Sequence, residues 1–229
     1  DTVNQALLLS QHIQDIGTTL RNLQQLTTIQ LSFGNYYQSL GYIFQAFELI
    51  NAFPVRLEAK QTWPFYQEIS RNYYKLELFT AALEFQQKAL NLAMESNFPL
   101  IKSRSYTLLG LIYGKIRNYD KAIESGQSAL EEARNVDNKS QSNIIANSTL
   151  NLAYIYRQIG NYNKSIEYSE QAIELYEKLK VPFWFYESHK ERLLALIGLN
   201  DILEAEKELS NTITLFENYR SKILEESNR

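Results

Sequence analysis

The feature that most constrains this chain is a spacing. Ala6, Ala46, Ala89, Ala129, Ala172 and Thr212 follow one another at intervals of 40, 43, 40, 43 and 40 residues, so alternate units lie 83 apart. Pro99 and Pro182 are also 83 apart. A fixed period of this size means one supersecondary unit copied along the chain, each copy burying its apolar face against its neighbours. The clearest copy runs from Ser103 to Val136. Leu109, Gly110 and Tyr113 fall on one face of a first helix, Asn118-Tyr119 supplies a turn, and Ala122, Gly126 and Ala129 fall on one face of a second. Two antiparallel helices joined by a tight turn must approach closely, which small side chains permit while large neighbours fill the space around them. A Gly inside a helix costs roughly 1 kcal/mol against Ala. Gly110 and Gly126 therefore read as close-approach positions.

The same pattern recurs. It reads Leu152, Ala153, Tyr156, Gly160-Asn161-Tyr162, Ser165, Ser169, Ala172 in the next copy, and Ile69, Ser70, Tyr73, Phe79, Ala82, Gln86, Ala89 in the one before. Degenerate copies stand at the two ends: Leu26, Thr27, Gly34-Asn35-Tyr36, Ser39, Ile43, Ala46, and Leu193, Leu196, Asn200-Asp201, Ala205, Leu209, Thr212. These residues resemble the tetratricopeptide (TPR) repeat, in its long-period form of about 40 to 42 residues rather than the common one of about 34. The resemblance implies an all-α fold, a TPR-type right-handed α-solenoid of antiparallel helix pairs, with about five full repeats and a half repeat. It implies a single array over residues 1–229, with units at approximately 1–17 (the half repeat), 18–53, 54–98, 99–137, 138–181 and 182–229.

Apolar periodicity predicts helices at about 18–33, 36–52, 64–76, 79–95, 99–116, 119–135, 140–159, 162–179, 183–198 and from 201 to the low 220s. Residues 1 to about 16 read as the second helix of a missing repeat, whose apolar Leu8, Leu9, His12, Ile13 and Ile16 would offer an edge for end-to-end self-association. Between Phe53 and Thr62, Pro54 is expected to open a short helix, and Pro64 to start or kink the next.

Composition narrows the function. The chain carries 23 basic and 26 acidic residues, a net charge of -3, which speaks against nucleic acid as a partner. No apolar run approaches the roughly 18 residues of a membrane span. Cysteine is absent, which fits a reducing compartment, and the cytoplasm is the expectation. The chain opens at Asp1, inside a repeat, and reads as an excised fragment. There is no thiol nucleophile and no Gly-rich phosphate loop, and His12 and His189 stand too far apart in the array to share a metal. No catalytic residue, metal or cofactor is expected. His189 reads as an interface histidine, and Glu131-Glu132 and Glu225-Glu226 as solvated helix faces.

In TPR arrays the first helices line the concave groove, so the resemblance places a ligand face one or two residues past the packing positions. That face comprises Gln67, Arg71, Tyr74 and Lys75; Arg104, Thr107, Leu111 and Lys115; Asn147, Leu150, Tyr154 and Arg157; and Lys190, Leu194 and Ile197. Its charged members are Arg71, Lys75, Arg104, Lys115, Arg157 and Lys190, all basic. A concave basic surface focuses potential towards anions, and Arg binds carboxylates through paired hydrogen bonds. The expected partner is an acidic peptide or protein segment, with Tyr74, Leu111 and Tyr154 supplying apolar contacts. The competing reading is that these cations pair with nearby acids of the chain itself. Two other functional classes remain open by resemblance. One is the sensor or regulatory arm of a larger protein, similar to bacterial arrays next to caspase-like CHAT protease domains. The other is a peptide-sensing regulator similar to bacterial quorum-sensing receptors.

Overall fold

The computed structural model describes residue 5 and residues 16–52, 59–137 and 140–227. The amino-terminal half repeat with its apolar edge, and most of the short helix expected after Pro54, lie outside the described residues. The described chain is helical throughout: α1 (Ile16–Ser32), α2 (Tyr36–Ala52), α3 (Ala59–Lys75), α4 (Phe79–Ser96), α5 (Pro99–Lys115), α6 (Tyr119–Arg134), α7 (Gln141–Gln158), α8 (Tyr162–Leu179), α9 (Pro182–Gly198) and α10 (Ile202–Ser227). Pro64 neither starts a helix nor precedes one. It lies inside α3, which begins five residues earlier.

The chain divides into two compact units, residues 1–116 and 117–229. In the first, each helix from α1 to α5 packs on the next, and the first helices also touch one another, α1 with α3 and α3 with α5. The core joins Leu20, Leu23 and Leu26 of α1 to Leu40, Ile43 and Ala46 of α2 and Phe65 and Ile69 of α3. Small hydroxyl residues fill the close-approach positions. Ser39 Oγ donates to the Thr27 carbonyl at 3.0 Å, and Ser70 Oγ to the Ala82 carbonyl at 2.8 Å. A small side chain lets the backbones approach, and the neighbouring helix's carbonyl satisfies its buried hydroxyl. Phe65 is a buried filler of this core, while Trp63 is buried with Ala89 and Ala93 of α4, and its Nε1 donates to Ser105 Oγ at 2.8 Å.

In the second unit α6 to α10 pack in the same sequential way, and the first helices α7 and α9 touch. Two clusters form its core: Leu130, Leu152 and Tyr156, and then Ala146, Leu150, Ala172 and Tyr176. Gly126 is a true close approach, since a Cβ placed there would lie 2.6 Å from Leu152 Cδ2.

The turns repeat as the sequence does. Residues 34, 77, 117, 160 and 200 all have φ between 61° and 78°, and their spacings are again 43, 40, 43 and 40. Residues 34, 77, 160 and 200 each close the hairpin inside a helix pair. Asn35 N donates to Gln30 O, Leu78 N to Tyr73 O, Asn161 N to Tyr156 O and Asp201 N to Leu196 O, the six-to-one bond that ends a helix on a left-handed residue. Gly34, Gly160 and Asn200 suit that conformation, whereas Glu77 and Arg117 are strained in it. Glu77→Gly is expected to raise stability by about 0.5–1 kcal/mol, read as a higher urea midpoint at unchanged slope. A lower midpoint would mean that Glu77 makes a contact worth more than its strain. The following residue caps the next helix: Asn118, Asn161 and Asp201 accept from the backbone N–H three positions on. Between pairs, Asn97 and Lys180, 83 residues apart, share φ of 54° just before Pro99 and Pro182.

Candidate ligand face

On α3, Arg71 and Lys75 stand one turn apart at the helix end. Together with Thr28, Leu31 and Ser32 of α1, Phe33 and Gly34 of the turn, and Tyr36 of α2, they line an open cleft of about 540 Å³. Phe33 is largely exposed beside it. Lys75 is exposed and has no acidic partner among the described residues. Arg71 donates to Glu68 Oε1 at 3.3 Å. Glu68 is nearly buried, and its Oε2 has no hydrogen-bond partner. Burial pushes the Glu68 carboxyl above its ordinary range, against the pull of Arg71 and Arg104. Arg104 is exposed on α5, Tyr74 packs edge-on against Phe79 at 5.8 Å, and Leu111 is half-buried with Lys115 exposed beyond it. Gln67 does not line this face. It is buried, accepts from Gln86 Nε2 at 3.0 Å and reaches the Arg104 carbonyl at 3.4 Å.

In the second unit Arg157 of α7 is bound by Glu191 of α9 through Nε at 2.7 Å and Nη2 at 3.3 Å, and its guanidinium lies 5.3 Å from the Tyr154 ring centre. Glu191 is buried. Lys190 pairs with Glu187 one turn back. Leu150 is a core residue rather than a face residue, and Asn147 accepts from the Tyr176 hydroxyl at 2.8 Å. Leu194 and Ile197 are exposed. Three of the sequence-predicted cations, Arg71, Arg157 and Lys190, therefore pair with acids, Glu68, Glu191 and Glu187, that the groove pattern left out. Glu68 and Glu187 were legible as i,i+3 partners, whereas Glu191 lies 34 residues from Arg157 and gives no local signal.

His189 is a packing residue. Its Nδ1 lies 2.6 Å from Glu208 Oε1 of α10, and its ring stands edge-on to Phe185 at 4.6 Å. Arg192 joins the same carboxylate and also Glu170 of α8 at 3.0 Å. Burial pushes the Glu208 carboxyl up, but the bonds from His189 and Arg192 outweigh it and hold the group below its ordinary range. A carboxyl depressed in the folded state contributes stability above its unfolded pKa and loses it as pH falls through the folded value. Glu208→Gln is expected to flatten the decline in urea midpoint between neutral and acidic pH. Parallel profiles for the two proteins would show that the network contributes no such linkage.

Among the described residues no three His, Asp or Glu side chains gather as metal ligands, and no helix is long and apolar enough to cross a membrane. Sequential helix pairs closed by repeated left-handed turns, with first helices in mutual contact within each unit, define an all-α fold of the TPR-type solenoid class. Residues 102–178 match the tetratricopeptide repeat family, and the described chain has that family's fold. No curated protein matches the chain. Solved structures share its fold. One is BtubC (BKLC) from P. vanneervenii, 16% identical, with a TM-score of 0.77 over 95% of this chain and 88% of that one. Another is the Rap conjugation gene regulator of the plasmid pLS20 in complex with the Phr* peptide, 16% identical, TM-score 0.72, over 92% of this chain and 57% of that one. A third is a Signal Transduction ATPase with Numerous Domains, with a tetratricopeptide repeat sensor, from Pyrococcus horikoshii: 21% identical, TM-score 0.68, over 88% of this chain and 31% of that one. The chain thus spans little more than half of the Rap regulator and under a third of the ATPase.

Proposed function

We propose that the chain is a non-enzymatic interaction module that captures a peptide or protein segment, and that an acidic group of that segment enters the cleft at Arg71 and Lys75. The observation that carries this reading is the cleft itself. Two cations and two hydroxyls, Thr28 and Ser32, converge there beside the exposed Phe33 ring. Arg71 keeps donors beyond the one it gives Glu68, and Lys75 has none committed to an acid among the described residues. Tyr74, Arg104, Leu111 and Lys115 extend the same face along α3 and α5, and Tyr154 and Lys190 are its counterparts in the second unit. The peptide-bound Rap regulator supports a peptide as ligand.

The test uses labelled peptides rich in Asp and Glu, with a free carboxyl terminus or an amide, followed by fluorescence anisotropy. Lys75→Glu is expected to weaken the free-carboxylate peptide by at least tenfold, the equivalent of one charge-assisted contact of about 1.5–3 kcal/mol. Unchanged affinity in Lys75→Glu and Arg71→Gln would exclude the cleft. A second reading, a sensor arm of a larger protein, is favoured by the ATPase with its repeat sensor. It predicts that the ligand alters the activity of a domain joined to this one, and it uses the same face.

A further inference from the structure

On α4, α6 and α8, the second helix of a pair is covered by the first helix of the next at four recurring positions. On α4 these are Gln86, Ala89, Leu90 and Ala93, all buried. Gln86 Nε2 donates to the Ser105 carbonyl of α5 at 2.8 Å, and Ala89 and Ala93 pack with Ile101. On α6 they are Gly126, Ala129, Leu130 and Ala133, also buried, with Leu152 and Ile155 of α7 closing on Gly126. On α8 they are Ser169, Ala172, Ile173 and Tyr176, with Trp184 of α9 stacked 6.3 Å from the Tyr176 ring. Tyr162, at the start of α8, closes on Gly198 at the end of α9.

The 40-residue step carries this set onto α10 as Leu209, Thr212, Ile213 and Phe216, with Ile202 in the place of Tyr162. Thr212 is half-covered, but Ile202 is 51% exposed, Leu209 46%, Ile213 53% and Phe216 50%. Only Tyr186 meets Phe216, ring to ring at 5.5 Å, among the described aromatic contacts. The helical angles of 202, 209, 213 and 216 fall within about 60° of one another, one stripe along the helix. A helix that ends in solvent would carry polar residues at these positions, since an apolar face of this extent costs solubility. Here the side chains are instead as apolar as their covered counterparts, and Leu209 stands where α2, α4, α6 and α8 carry Ile43, Gln86, Gly126 and Ser169.

We propose that the Ile202–Leu209–Ile213–Phe216 stripe is a docking surface for an amphipathic α-helix of the first-helix kind, lying antiparallel on α10 as α9 lies on α8. The occupant carries a small residue near its carboxyl end to face Ile202, as Gly198 faces Tyr162, and an aromatic residue near its amino end to meet Phe216, as Trp184 meets Tyr176. Continuity with the α4–α5, α6–α7 and α8–α9 interfaces sets the register.

The probe is a labelled synthetic peptide with the sequence of α9, residues 182–199, titrated against the full chain by fluorescence anisotropy. Saturable binding is expected. It should fall at least tenfold in a Leu209→Gln, Ile213→Gln chain, and a peptide with the sequence of α8 should not bind. Both positions are exposed, so the variant is expected to keep the circular dichroism and melting temperature of the parent; if it does not, Ile213→Thr alone replaces it. Absence of binding to the parent chain would overturn the proposal. So would equal binding to parent and variant, which would mean that the peptide displaces α9 from α8. Sedimentation equilibrium supplies the remaining outcome: a parent dimer made monomeric by the variant would assign the stripe to a second copy and overturn the helix as occupant.

Discussion

Arg157→Glu is expected to lower the stability of the unit formed by residues 117–229 by about 3–5 kcal/mol, the cost of breaking a buried ion pair from one side. Glu191 is 7% exposed and takes two hydrogen bonds from the Arg157 guanidinium, at 2.7 and 3.3 Å. Reversal leaves that carboxylate buried without its partner and sets a second carboxylate against it. It also removes the cation from the Tyr154 ring, 5.3 Å away, a contact worth roughly 0.5–2 kcal/mol. Urea unfolding of the single variants and of the Arg157→Glu, Glu191→Arg double swap completes the cycle. The swap should recover part of the loss, and a parent-like midpoint in Arg157→Glu would mean that solvent screens the pair. The consequence for ligand binding is practical. Charge reversal at Arg157 tests packing, whereas Lys75, exposed and without an acidic partner among the described residues, tests the ligand.

Most of the helical frame was legible because local chemistry sets it. Gly34, Gly160 and Asn200 announce left-handed turns, Asn118, Asn161 and Asp201 announce helix starts, and Pro99 and Pro182 open α5 and α9. As a helix start Pro64 misled, because α3 begins at Ala59 and runs through it. Trp63 and Phe65 on either side of it are core residues, and their packing supports the helix through a position whose ring forfeits one backbone bond and crowds the carbonyl four residues back. The candidate face was less legible. Gln67 and Leu150 stand at the offset that suggests a groove, but first helices touch one another, so this offset is partly covered: Gln67 reaches the α5 backbone, and Leu150 packs with Phe185 of α9. The acids among the cations follow the same logic. A partner three residues away can be read from the chain, and one a whole repeat away needs the stacking of α7 on α9.

Tyr176 tests how far that stacking can adjust. It is the largest fully buried side chain among the described residues. Its ring packs with Ala146, Leu150 and Ala172 and stacks on Trp184, and its hydroxyl donates to Asn147 Oδ1 at 2.8 Å. Burial raises the hydroxyl's pKa far above its ordinary value, so it is a neutral donor at neutral pH. Tyr176→Ala is expected to cost about 3–5 kcal/mol, the range for removing a buried aromatic ring. Tyr176→Phe, which keeps the ring, should cost only about 0.5–1.5 kcal/mol for the lost hydrogen bond. The equivalent residues of α4 and α6 are Ala93 and Ala133, both buried and both covered by the following first helix. The fold therefore already contains an Ala solution at this position. If α9 could close onto α8 as α5 closes onto α4, the cavity would collapse and the Ala variant would lose about 1–2 kcal/mol, the transfer cost without an open void. The larger loss is expected because α9 is held on its other side as well. His189 and Arg192 grip Glu208 of α10, and Glu191 grips Arg157 of α7. Combining Tyr176→Ala with Glu208→Gln separates the two cases: a joint loss smaller than the sum would show that the α10 anchor keeps the cavity open, and strict additivity would show that it does not.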